Sequence, residues 1–135
     1  MILVPLAFAA DPAWDVDAPH GPGRDVHFSV TEGTWLGVDV SPDGSKVIFD
    51  LLGDLYTVPL TGGTATRLTQ GAAWDTDAHW SADGSRIAYT SDRGGNEDLW
   101  TMNADGSHAV EMTHEDVDRW SDPVWAPEAG WLLGR

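Results

Sequence analysis

The chain has 135 residues, no cysteine and a formal charge of −15, from 22 acidic against 7 basic side chains. Without cysteine it has neither a disulfide frame nor a thiolate metal site. So acidic a surface repels phosphates and anionic lipid, which removes nucleic acid and membranes from the expected partners. It suits cationic partners or divalent metals, but the preferred reading is solubility in a salty or extracytoplasmic setting.

Residues 1–10 read as the tail of a secretory signal. An apolar run, Ile2 to Leu6, leads into the small residues Ala7-x-Ala9 where a signal peptidase would cut, although a basic n-region is missing. A secreted or periplasmic location is therefore expected; the alternative is an apolar strand. No other stretch approaches the length of a transmembrane helix. Residues 11–33 form an extended lead-in, with Pro19 and the Gly-Pro-Gly of 21–23.

The body speaks in repeats. Val40-Ser41-Pro42-Asp43-Gly44-Ser45-Lys46-Val47-Ile48-Phe49 returns as Trp80-Ser81-Ala82-Asp83-Gly84-Ser85-Arg86-Ile87-Ala88-Tyr89, and a worn copy starts at Trp125-Ala126-Pro127. Each full unit predicts four short strands parted by turn residues. In the first these are Gly37–Val40, Val47–Phe49, Asp54–Val58 and Ala65–Thr69. In the second they are Ala78–Trp80, Ile87–Thr90, Asp98–Met102 and Ala109–Thr113. The Asp-Gly pairs suit tight antiparallel hairpins, and Asp92–Glu97 is an insertion between the second and third strands of the second unit. Ser41 and Ser81 stand 40 residues apart, and Ser81 and Ala126 stand 45 apart. Strand-rich repeats of that period indicate a β-propeller. The expected fold is all-β: blade one over 34–72, blade two over 73–118 and part of a third over 119–135. Propellers close with about four to eight blades, so the chain is expected to be a fragment whose partners are its own further blades.

The phrases Ser41-Pro42-Asp43-Gly44-Ser45-Lys46-Val47-Ile48-Phe49, Arg67-Leu68-Thr69 and Tyr89 to Ser107 resemble TolB-type propeller repeats. The lead-in adds Trp14-Asp15-Val16-Asp17-Ala18-Pro19 and Thr31-Glu32-Gly33-Thr34-Trp35. With Phe49 to Tyr56, these resemble secreted proteins in which such a propeller precedes an amidohydrolase domain. That likeness implies a C–N bond hydrolase whose divalent metal and ligands lie in a C-terminal domain outside this chain, with the propeller gating or positioning substrate. A TolB-like scaffold that docks partner proteins, and the propeller of a tricorn-like or prolyl-oligopeptidase-like serine peptidase, remain open alternatives.

Within the chain itself no catalytic set and no cofactor is expected. There is no Gly-x-Ser-x-Gly elbow, and Ser41, Ser45, Ser81, Ser85 and Ser107 sit at turns. His20, His27, His79, His108 and His114 include neither His-x-His nor His-Glu-x-x-His. The weak candidates are carboxylates at a channel mouth. Asp77 and Asp122 align just before the innermost strands, where the first unit has Gly37, and Asp39 aligns with His79 and Val124. They suit either a cation or substrate amine, or the capping of backbone N–H groups. Asp92, Asn96, Glu97 and Asp98 make an oxygen-rich loop that suits Ca²⁺ or simple solvation. Trp35, Trp74 and Trp120 recur ahead of each blade, Trp80 and Trp125 align with Val40, and Trp100 aligns with Tyr56. Such recurrence predicts packing between blades.

Overall fold

The computed structural model describes residues 15–18, 21–24, 26–114, 119–127 and 130–135. Residues 1–10, expected above to be a signal segment, lie outside them, as does Trp14 of the lead-in.

Among the described residues, ten strands form three antiparallel sheets. The first holds β1 (Val38–Val40), β2 (Lys46–Leu51), β3 (Asp54–Pro59) and β4 (Thr66–Arg67) in that order. The second repeats it with β5 (Asp75–Trp80), β6 (Arg86–Ser91), β7 (Asp98–Asn103) and β8 (Val110–Glu111). The third is the pair β9 (Val124–Trp125) and β10 (Leu132–Leu133). No helix occurs among the described residues.

The period of two along each strand decides the packing. In β2, Ile48 and Asp50 turn to one face, which the pairings Asp39↔Ile48, Ile48↔Thr57 and Asp50↔Leu55 extend across the sheet. Against that face lies β5. Ile48 and Leu55 meet Ala78, Trp80, Ile87, Tyr89 and Met102 in one core, with Leu68, Trp100 and Ala104 packed beside it. Ile48, Leu55, Ile87 and Met102 are fully buried, each contributing about 1.5–3 kcal/mol of apolar transfer. The opposite face of the first sheet carries the stacked rings of Phe49 and Tyr56, 5.7 Å apart, beside exposed Val38 and Val40.

The second sheet is covered on both sides, and five of the six residues of β6 are buried. Its far face meets the third sheet, where the indole of Trp125 donates to the His79 carbonyl at 3.1 Å. A strand covered on both faces reads as a near-continuous apolar run, hence Ile87-Ala88-Tyr89.

The Asp-Gly turns differ from the tight hairpins expected. Asp43-Gly44 lies within a five-residue link between β1 and β2, in which Ser41 and Ser45 hydroxyls both bond Asp43 and the Lys46 N–H returns to Ser41 Oγ at 2.9 Å. Ser81, Asp83, Ser85 and Arg86 repeat these bonds. Turn chemistry therefore accounts for those serines. The two-residue hairpin stands instead between β2 and β3, where Leu51 pairs with Asp54 across Leu52 and Gly53. Both turn residues have positive φ, 56° and 83°, as a type I′ turn requires, although a leucine gives no warning of it.

A candidate recess between the first two sheets

Gly37, just before β1, is where the first site is built. Its N–H donates to Asp50 Oδ2 at 2.9 Å. A Cβ on residue 37 would stand 2.5 Å from that oxygen and 3.6 Å from Asp77 Oδ1. Only glycine lets the Asp50 carboxylate come this close to the chain, while Asp77 stands beside it at ordinary contact distance. Asp50 also accepts the Asp77 N–H. Burial pushes its carboxyl above the ordinary range, and the neighbouring Asp77 charge adds to that, against the pull of the two backbone N–H groups.

Asp77 is held there by a β-bulge. The β5–β6 register runs Thr76↔Thr90 and then His79↔Ala88, so Asp77 and Ala78 together oppose Tyr89. Asp77 has φ 51° and Asp122 φ 50°. Aspartate accepts this left-handed conformation more readily than most residues, which is why it recurs at the two aligned positions. A bulge re-aims its side chain, here toward the recess.

The walls are apolar. Trp74 lies on the β2–β3 turn so closely that a Cβ on Gly53 would meet its ring at 2.8 Å. Trp35, with φ 56°, is fully exposed. With Phe28, Val30, Leu36 and Leu52 they border an open recess of about 580 Å³, whose charged lining is Glu32, Asp50 and Asp77, with no lysine, arginine or histidine among the described residues. Trp35 therefore does not pack between blades as its recurrence suggested, whereas Trp74, laid on the β2–β3 turn of the first sheet, and Trp80, Trp100 and Trp125 do.

The three candidate carboxylates have separate partners. Asp39 turns into the gap between the sheets, where Oδ2 accepts the Trp80 N–H at 2.9 Å and faces His79 Nδ1 at 3.5 Å. Asp77 borders the recess. Asp122 accepts from the Arg135 guanidinium and lines no part of the recess. The oxygen-rich loop also disperses. Asp92 accepts the Trp74 N–H at 2.7 Å, Glu97 pairs with Arg119, and Asp98 turns inward to the Thr113 hydroxyl. Sequence reasoning missed Asp50. Its signal was an aspartate within an apolar strand, at the place where the second unit has Thr90.

With that geometry in hand, likeness to known proteins becomes informative. The profile of the TolB beta propeller domain matches residues 23–133. The chain belongs to that family. A Tol-Pal system protein TolB from Wolinella succinogenes is 31% identical over 94 residues, covering 67% of this chain and 22% of the relative. An uncharacterised protein of Agrobacterium fabrum is 31% identical over 84 residues, 59% of this chain and 29% of its own length. Among solved structures, a TolB-type protein of Agrobacterium tumefaciens superposes with TM-score 0.64 at 27% identity, covering 70% of this chain and 35% of that one. TolB of Acinetobacter baumannii gives 0.59 at 21% identity, over 77% and 30%. The tricorn protease gives 0.58 at 16%, over 73% and 10%. The last two likenesses concern the fold. This TolB-type chain thus spans less than a third of the length of the curated relatives it matches.

Proposed function

We propose that this TolB-type module is a non-catalytic recognition element of an exported protein. Its recess receives a cationic group, either a Lys or Arg side chain of a partner or the amine of a substrate. The observation that carries this reading is a lining with three carboxylates, two exposed indoles and, among the described residues, no basic side chain. An indole face attracts a cation by about 0.5–2 kcal/mol, and the carboxylates supply the longer-range pull.

For the parent protein, the lead-in and first-blade phrases support a secreted, metal-dependent amidohydrolase whose metal and ligands lie beyond this chain. The module would then position substrate beside the catalytic domain. The match to a Tol-Pal system protein favours a second reading, a periplasmic scaffold that docks partner proteins. A His-x-His motif encoded after further blades in the parent gene supports the first, and further blades without catalytic motifs support the second.

Recognition itself is tested by calorimetric titration with a lysine-rich peptide and its acetylated, uncharged counterpart. Asp77→Asn keeps a residue suited to the bulge, and Trp74→Ala removes one wall. Each is expected to weaken binding of the charged peptide by roughly 3- to 30-fold, with the uncharged peptide silent. Equal binding of both peptides, or full affinity in both variants, would refute the reading.

A further inference from the structure

Asp54 and Asp98 hold the same place in their sheets, the first residue of the third strand, and both are buried. A carboxylate out of water needs a countercharge. In the first sheet Arg67 on β4 supplies it, 2.5 Å from Asp54 Oδ2. In the second sheet the matching position on β8 carries Glu111. Tyr56 pairs with Arg67 as Trp100 pairs with Glu111. A second carboxylate thus stands where the guanidinium stood.

The rest of the site is built around that exchange. Asp98 is 2% exposed, and its Oδ1 accepts a neutral donor, the Thr113 hydroxyl, at 2.7 Å. Glu111 Oε1 is shielded from water and has no hydrogen-bond donor among the described residues. Gly94 passes so near that a Cβ there would meet this oxygen at 2.2 Å. His114 Nδ1 faces the same oxygen at 3.5 Å. One ligand atom each from Asp98, Glu111 and His114 lie within 4.8 Å of one another. All seven Lys and Arg residues are among those described, and no ion pair from any of them reaches Asp98 or Glu111.

We propose that Asp98, Glu111 and His114 bind a divalent transition-metal ion of the zinc type, which replaces the Arg67 guanidinium and ties β8 to β7. Two carboxylates and an imidazole suit such an ion better than Ca²⁺, which takes oxygen ligands. Exposed His114 can swing inward to close the set. Three protein ligands leave a fourth position for water. The ion's role is structural: β8 is only two residues long, and the bonds beside it, from the Met112 N–H to the Leu99 carbonyl and from the Leu99 N–H to Thr113 Oγ1, join the following chain to β7 without bridging the two carboxylates.

The full chain, stripped with EDTA, is titrated calorimetrically with ZnCl₂ and in parallel with CaCl₂. One zinc equivalent is expected, bound more tightly than calcium, together with a higher unfolding midpoint in zinc. His114→Ala should weaken zinc binding by more than the roughly 10- to 100-fold that loss of an outer-shell partner costs, whereas His108→Ala should not. Glu111→Arg recreates the arrangement of the first sheet. It should abolish zinc binding and leave the unfolding midpoint in EDTA unchanged or higher. Should that variant fail to fold, His114→Ala, a change at an exposed side chain, still decides the matter. No zinc binding by the native chain, native affinity in His114→Ala, or tighter binding of calcium than zinc would each overturn the proposal.

Discussion

Arg93→Ala tests how the two sheets tolerate a buried charge. Asp75, the first residue of β5, is fully buried. Burial pushes its carboxyl above the ordinary range, while the Ser91 and Thr69 hydroxyls and the Arg93 charge pull it back. Arg93 Nη2 lies 3.3 Å from Asp75 Oδ2. At that separation and an effective dielectric constant of about 20, the attraction is about 5 kcal/mol. The Arg93 side chain is 27% exposed, so hydration offsets part of this and a loss of about 2–3 kcal/mol is expected on truncation. The loss depends on pH. A carboxyl whose folded pKa is raised adds stability below its unfolded value near 3.8, and that stability is lost as pH rises through the folded value. Without Arg93 the folded value climbs further, so the deficit is small in acid and full at neutral pH. Arg93 also bonds Asp17 and the Gln70 carbonyl, which supplies a portion insensitive to Asp75. Asp75→Asn and the double variant complete the cycle that separates the two. Urea unfolding followed by tryptophan fluorescence at about pH 4 and pH 8 reads the result. An equal loss at both pH values, or a coupling below about 0.5 kcal/mol, would refute the reasoning.

Leu52→Asn should raise stability by about 0.5–1 kcal/mol, because a left-handed backbone costs leucine about 1–2 kcal/mol and asparagine less; thermal unfolding measures the gain. Asp43 and Asp83 are pulled down to about 2 by the Ser41 and Ser81 hydroxyls, with help from Ser45 and Ser85. Their stabilisation is present above about 3.8 and lost as pH falls through about 2. The double variant Asp43→Asn/Asp83→Asn should therefore show a shallower acid-induced loss of strand circular dichroism. Gly37→Ala forces a Cβ onto Asp50 and should cost about 1–3 kcal/mol and weaken peptide binding at the recess; native stability in chemical denaturation would contradict the close approach.

The repeats, the four-strand grammar and the serine turns were legible in the chain because all three depend on local rules. Alternation sets which residues share a face, and Ser-x-Asp-x-Ser bonds close within five residues. The family likeness rests on those same phrases. What the indoles do was not legible. Trp35 and Trp80 are the same residue type at recurrent positions, yet one stands in solvent and the other in the core. Only the way β5 lies across the first sheet separates them.

The strand pattern and the acidic surface of this chain follow from residue order, since backbone pairing and net charge need no distant contact to be read. The two sites were decided by tertiary packing. Asp50 meets Asp77 across 27 residues through a bulge whose left-handed backbone no alternation rule announces. Asp98, Glu111 and His114 converge because β7 pairs with β8. They face no arginine because one strand position holds glutamate where its counterpart holds Arg67, a contrast that acquires meaning only once the two sheets are superposed.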